Sequence, residues 1–401
     1  MSGPLAGIRV LDLSSVVMGP WATHVLADYG ADVILVESPA GDIMRRAGAA
    51  RHPGMGASFM HGARNKRSVV LDLKQPAARD ALLALVVGAD VFVHNVRRAA
   101  MDRLGLGYAD VARANPRIVY ASLVGYGQRG PYAARPAYDD LIQGASGLAA
   151  TFAMAGDEPR YVPALVADRT AGIAAAAAIL AALVERARTG AGQSLDVPMF
   201  ETMAELVLAD HLGGDSFVPA EGDVGYARIL AKNRRPYRTT DGYVCVLLYN
   251  EAHWERFFAC VGLTDAFRAN PRLHDPAVRV RAYDEAYGEV AQILETRSSA
   301  YWLETLEAAD VPVTPLHDVA SLERDPHLLA TGFFEETIHP SEGRIRSLGR
   351  PVSFGAHGPT ERASAPRLGE QSRSILRAAG LPDAAIDALV RSGATADDGV
   401  E

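Results

Sequence analysis

The sequence predicts an α/β protein whose large domain holds a parallel sheet, accompanied by a smaller α+β domain. Three observations carry this. As far as residue 197, short runs rich in Val, Ile and Leu alternate with helical stretches, the order of a parallel sheet covered on both faces. An Ala-rich stretch over 170–188 is apolar around most of its circumference, so it belongs in a core. A length of 401 residues is more than one core usually fills.

The elements follow in order. Residues 8–13 read as a strand, 21–29 as a helix closed by Gly30, and 32–37 as a second strand, which makes a βαβ unit. Strands are predicted over 68–73, 91–94, 118–124 and 193–197, with helices over 77–87, 170–188 and 200–211. Gly190 ends the Ala-rich helix after Arg186 and Arg188. The large domain therefore spans 1–212. Residues 213–230 mix Gly, Pro and charge without periodicity, as an interdomain linker does. A small domain over 231–325 opens on a hairpin at Asp241-Gly242, continues with helices over 253–261, 279–295 and 301–308, and ends with a strand over 311–316. In the segment 326–401, a second hairpin turns at Ser341-Glu342-Gly343, and two short helices are predicted over 370–379 and 383–391.

The composition narrows the partners. With 49% hydrophobic and 22% charged residues the chain is globular, and a formal charge of −8 argues against nucleic acid. Cys245 and Cys260 cannot make a disulfide framework, and the start MSGPLAGIRV lacks the pattern of a secretion signal, so a cytoplasmic protein is expected. The longest apolar run, residues 171–184, is short for a membrane span, so no membrane is expected. Lysine occurs only at Lys66, Lys74 and Lys232. Two of the three fall near predicted strand ends, alongside Arg64, Arg67, Arg97, Arg98 and Arg103, where an open α/β sheet binds its ligands.

Gly125, Gly127 and Gly130 match a dinucleotide fingerprint, but Pro131 and Pro136 oppose the helix that must follow, so no nicotinamide is expected. The histidines show neither HxxxH nor HExxH spacing, so no metal is expected. Asp168 follows an apolar run and precedes the long helix. It reads either as an N-cap worth on the order of 1 kcal/mol or as a carboxylate kept ionised and nucleophilic by the helix dipole.

Several segments, in order and spacing, resemble the class III coenzyme A transferases. They are residues 5–12 (LAGIRVLD), 18–20 (MGP), 26–33 (LADYGADV), 65–69 (NKRSV), 71–74 (LDLK), 103–105 (RLG), 115–117 (NPR), 125–132 (GYGQRGPY) and 189–193 (TGAGQ). The resemblance implies a Rossmann-like large domain to which 326–401 returns, and an interlocked homodimer. It implies coenzyme A, as acyl-CoA, and a carboxylic acid as substrates, with Asp168 forming an aspartyl-CoA thioester. Asp139 stands where the family has an acidic neighbour of the nucleophile, and Tyr138 would lie near the acyl group. Coenzyme-binding positions carry over to Val17, Met18, Leu71, Asp72, Leu73, Lys74, Asn95, Val96, Arg97 and Arg103. Three departures stand out. Ser38 replaces a phosphate-binding arginine, for which Arg45 or Arg46 could substitute; Val17 replaces a glutamine; and 247–250 (LLYN) replaces a glycine-rich loop. The last two imply an acyl group larger or less polar than formate or oxalate. The alternatives are a 2-methylacyl-CoA racemase-like enzyme, whose second proton carrier is a histidine where Tyr138 stands, and a non-catalytic acyl-CoA-binding protein.

Overall fold

The computed structural model describes residues 3–357 and 363–398. The chain divides into two compact units: Met1–Ser146, Val162–Glu205 and Ala330–Glu401 form one, Gly147–Tyr161 and Leu206–Leu329 the other.

In the first unit the chain runs β1 (Arg9–Asp12), α1 (Met18–Asp28), β2 (Asp32–Glu37), α2 (Ala57–Ala63), β3 (Lys66–Val70), α3 (Pro76–Val87) and β4 (Val91–His94). It continues with α4 (Arg98–Arg103), α5 (Tyr108–Ala114), β5 (Val119–Val124) and α6 (Asp139–Ala145). After α7 (Leu148–Met154), which lies in the second unit, come α8 (Val166–Thr189), β6 (Gln193–Pro198) and α9 (Met199–His211). The six strands pair in parallel in the order β3-β2-β1-β4-β5-β6, which reverses direction at β1 and β4. That reversal opens a crevice beyond the carboxyl ends of the strands.

One face of the sheet packs a core of Leu11, Ile34, Val69, Leu82, Phe92 and Tyr120 together with Ile375, Leu376, Ile386 and Leu389. The last four come from α18 (Ser372–Ala378) and α19 (Asp383–Arg391), at the far end of the chain. The tail docks because β3 is an edge strand whose outer polar groups need partners. The Ser68 N–H donates to Gln371 Oε1 at 2.8 Å, the Val70 N–H to Ser372 Oγ at 3.1 Å, and Thr395 Oγ1 donates to the Val70 carbonyl at 2.6 Å.

The second unit holds the antiparallel sheet β7 (Tyr237–Arg238), β8 (Tyr243–Val246) and β9 (Val313–Pro315). Its helices are α10 (Ala227–Leu230), α11 (Glu251–Cys260), α12 (Thr264–Ala269), α13 (Pro271–His274), α14 (Pro276–Arg279), α15 (Tyr283–Leu294), α16 (Ser299–Ala308) and α17 (Pro326–Ala330). Trp254, Phe257, Phe258, Tyr287 and Trp302 fill its core. A ribbon of β10 (Phe334–His339) and β11 (Gly343–Leu348) belongs to the first unit.

The boundaries differ from those expected. Residues 213–230 hold a turn of helix and α10 and lie within the second unit, which also takes 147–161 from the stretch assigned to the large domain. Contacts that bring α7 to α10 join these segments, and no periodicity reports such contacts. Helix α8 is long and apolar enough to cross a membrane by length and composition. Ala171, Ala175, Ala176 and Ile179 on one side of it are buried, and it packs against α1 and the sheet.

Candidate active site

The geometry begins at the entry to α8. The helix starts at Val166, four residues ahead of the predicted boundary, so Asp168 sits inside its first turn and does not cap it. Leu165, at the N-cap, offers no side-chain bond. The cap comes from α6: Asp139, buried, accepts the Asp168 N–H on Oδ1 at 3.0 Å. Asp139 Oδ2 accepts in turn from Gln143 Nε2 at 2.6 Å, one helical turn further along α6.

The Asp168 carboxyl is pushed up to about 6, first by burial and then by the negative charge of Asp139; a hydrogen bond from the Met18 N–H and the charge of Arg169 act the other way. Arg169 is drawn aside, its guanidinium carbon 4.1 Å from the centroid of the Trp21 ring. The approach of α1 to α8 depends on Gly172. A Cβ there would stand 2.7 Å from the Met18 carbonyl oxygen and 3.2 Å from Trp21 Cβ.

The loop that delivers Met18 is strained. Val16 has φ of 71°, a left-handed conformation that a β-branched residue adopts at a cost of about 1–3 kcal/mol. It is held from both sides. Asp42 accepts the Val16 N–H at 3.0 Å; Asn95 accepts the Ser15 N–H at 3.1 Å and donates to the Ser15 carbonyl at 2.7 Å.

Beyond the ends of β1 to β4 lies a cavity of about 480 Å³. Leu71, Asp72, Leu73, Lys74, Val96 and Arg103 line it, six of the ten positions assigned to the coenzyme, and Lys74 and Arg103 are its exposed cations. The other four lie elsewhere. Val17 and Met18 are buried at the start of α1, Asn95 spends its amide on Ser15, and Arg97 is exposed ahead of α4. Ser14, Ser15, Met101 and Leu104 also line the cavity. Sequence reasoning missed them because none carries a charge, and only Leu104 falls in a quoted motif, 103–105.

The basic residues at 64–67 are paired within the fold, Arg64 and Lys66 buried and Arg67 half-buried. Lys66 Nζ donates to Asp12 Oδ2 at 3.1 Å, to Thr23 Oγ1 at 2.8 Å and to the Pro20 carbonyl at 2.9 Å, with its side chain fully buried. Arg64 pairs with Asp28 and Arg67 with Asp32. Lys66 therefore does not mark an anion site, because burying its charge requires the partner it already has. Arg45 is likewise buried on Glu37 at 2.6 Å, whereas Arg46 is exposed and donates to the Ala40 carbonyl.

The glycine motif also has a packing reason. A Cβ at Gly125 would meet Ala137 Cβ at 2.3 Å and one at Gly127 would meet Glu201 Oε1 at 2.5 Å, while the next helix starts only at Asp139. Tyr138 is 66% exposed at the N-cap of α6. Among the described residues no group of three or more His, Cys, Asp and Glu is placed to hold a metal ion.

A 3-2-1-4-5-6 sheet with a cavity at its carboxyl ends, together with a carboxylate pushed up to about 6 at the entry to α8, describes a nucleotide-type binding fold equipped for acyl chemistry. The model of CoA-transferase family III matches residues 5–372, and the chain belongs to that family. It is 32% identical to an acetyl-CoA:oxalate CoA-transferase of Acetobacter aceti, over 95% of this chain and 97% of the relative. It is 31% identical to a formyl-CoA:oxalate CoA-transferase of Rhodopseudomonas palustris, over 99% and 98%, and 29% to a human succinyl-CoA:glutarate CoA-transferase, over 97% and 89%. Among solved structures, a CAIB/BAIF family protein from Brucella suis superposes with a TM-score of 0.80 at 28% identity, covering 94% of this chain and all of that one.

Proposed function

We propose that the protein moves coenzyme A from a donor acyl-CoA to an acceptor carboxylate through an aspartyl-CoA thioester on Asp168. The observation that most supports this is the state of Asp168. A carboxyl at about 6 is mostly ionised at pH 7, yet burial and Asp139 leave it less stabilised than a solvated carboxylate and therefore more nucleophilic.

An Asp168 oxygen attacks the thioester carbonyl, the C–S bond breaks, and the coenzyme leaves as thiolate from an aspartyl-acyl anhydride. The thiolate then attacks the aspartyl carbonyl and expels the donor carboxylate, leaving the aspartyl-CoA thioester. The acceptor carboxylate displaces the thiolate to form a second anhydride. Attack of the thiolate on the acceptor carbonyl releases the new acyl-CoA and restores the Asp168 carboxylate. Each step exchanges one anion for another, so no proton is consumed and the thioester's energy is retained. The Met18 N–H is positioned to stabilise charge on the carboxylate as it is regenerated.

The coenzyme is assigned to the cavity at the strand ends, with Lys74 and Arg103 as phosphate partners. The acyl group is assigned as larger or less polar than formate or oxalate. Val17 supports this because its side chain offers no hydrogen bond, as does Leu247 to Asn250, where Asn250 is spent on capping α11. Relatives at similar identity carry names that differ in acyl group, so the residues must decide. An interlocked homodimer, on the strength of the family resemblance, and a cytoplasmic location, on the strength of cysteine usage, complete the reading.

The test is exchange followed by mass spectrometry across a panel of acyl-CoAs and free carboxylates, repeated with Asp168→Ala. Exchange must vanish in the variant, and hydroxylamine must trap an adduct on Asp168 in the parent. Exchange that persists without Asp168 rules the mechanism out, and faster turnover of formyl-CoA with oxalate than of succinyl or branched acyl-CoAs rules out the acyl assignment.

A further inference from the structure

We infer that Gln143 is a positioning residue for this transfer, fixing Asp139 against the backbone of Asp168 and so governing when Asp168 carries charge. This rests on the proposed role of Asp168.

Gln143 is fully buried, and both ends of its amide are used. Nε2 donates to Asp139 Oδ2 at 2.6 Å, while Oε1 accepts the Val162 N–H at 2.8 Å. Nε2 also reaches the carbonyls of Ala164 at 3.3 Å and Val162 at 3.4 Å. Residues 162–165 form no helix or strand, so their polar groups depend on such partners. One side chain thus holds the segment leading into α8 and orients the carboxylate that caps it. The second oxygen of that carboxylate is the one on the Asp168 N–H, so rotation of Asp139 would uncap the turn that presents Asp168.

The charges bearing on Asp168 are few. Asp139 faces it from α6 and Arg169 comes from its own helix. From α1 it receives the Met18 N–H; the first two turns of α1 carry only His24 as a titratable group, and burial lowers that histidine to about 3, which keeps it neutral. Asp140, beside Asp139, is exposed. The placement of Asp139 is therefore the main variable that Gln143 can set.

The test uses the full-length protein with Gln143→Glu and Gln143→Met. Glutamate keeps an acceptor for Val162 but turns a donor facing Asp139 into a negative charge; methionine keeps the length and removes both bonds. For either, kcat should fall about 10- to 100-fold, the range of a lost hydrogen bond to a charged group, with KM for acyl-CoA within about twofold. The acid limb of the pH profile should move above 6 in Gln143→Glu and below it in Gln143→Met, as Asp139 turns away. A role confined to folding would lower both activities without opposite shifts. A folded Gln143→Glu protein, judged by near-ultraviolet circular dichroism, that keeps the parent kcat and an acid limb near 6 overturns the inference, whether or not the methionine variant folds. Asp168→Asn separates the two readings: if it still exchanges, the mechanism itself fails, whereas if it is inactive and the Gln143 variants are unchanged, only the role of Gln143 fails.

Discussion

Gly172→Ala tests how closely α1 and α8 must approach. The new methyl would lie 2.7 Å from the Met18 carbonyl oxygen, where ordinary contact begins at 3.4 Å, so α1 has to retreat by roughly half an ångström or more. Overpacking of this kind costs about 1–3 kcal/mol. Replacing a mid-helix glycine returns about 1 kcal/mol of helix propensity. The balance is a loss of about 1 kcal/mol, to be read from urea unfolding. The retreat also draws the Met18 N–H away from Asp168, which shares a helix face with Gly172 at i, i+4. Losing a donor to the charged form raises the Asp168 carboxyl further above 6, so activity should fall more at pH 6 than at pH 8. A variant stabilised by the full propensity gain, or one whose acid limb stays put, would refute the argument that this glycine sets the contact.

Asp168→Asn should stabilise the protein. A carboxyl raised from 3.8 to about 6 binds more protons folded than unfolded, so stability falls as pH rises between those values; above them the cost is about 3 kcal/mol, and below 3.8 it vanishes. Unfolding at pH 8 and pH 3.5 should show a difference from the parent only at the higher pH. Lys66→Met should destabilise by about 3–5 kcal/mol, because it strands the buried Asp12, and urea unfolding should reveal this without a specific change in coenzyme affinity in whatever folds. Lys74→Ala and Arg103→Ala should each raise KM for acyl-CoA several-fold, by roughly five to ten, with the penalty shrinking at high salt as expected of solvent-facing cations. Arg46→Ala should weaken coenzyme binding while leaving unfolding unchanged, and Arg45→Ala should do the reverse, since Arg45 is buried on Glu37; titration with CoA and urea unfolding separate the two.

Much of the sheet was legible because parallel strands buried on both faces write themselves as apolar runs; β2 and β4 run over the very residues predicted. The short helices α2, α4 to α7 were not, since pieces of six or seven residues carry too little period. The start of α8 was misplaced because its cap is not local: Leu165 caps nothing, and Asp139 does so from 29 residues away. Charge misled in the same way. Lys66 and Arg45 read as free cations from the sequence, and nothing in their neighbours shows that folding brings Asp12 and Glu37 to them.

The sequence by itself determined most of the sheet and the family, which rest on periodicity and on ordered motifs. Only the tertiary structure decided which cations are paired inside the fold, which carboxylate caps which helix, and why residues 371–395 return to β3. These depend on side chains far apart along the chain meeting in a low-dielectric interior, where an unpaired charge or an unsatisfied edge strand costs several kcal/mol and a partner must be found.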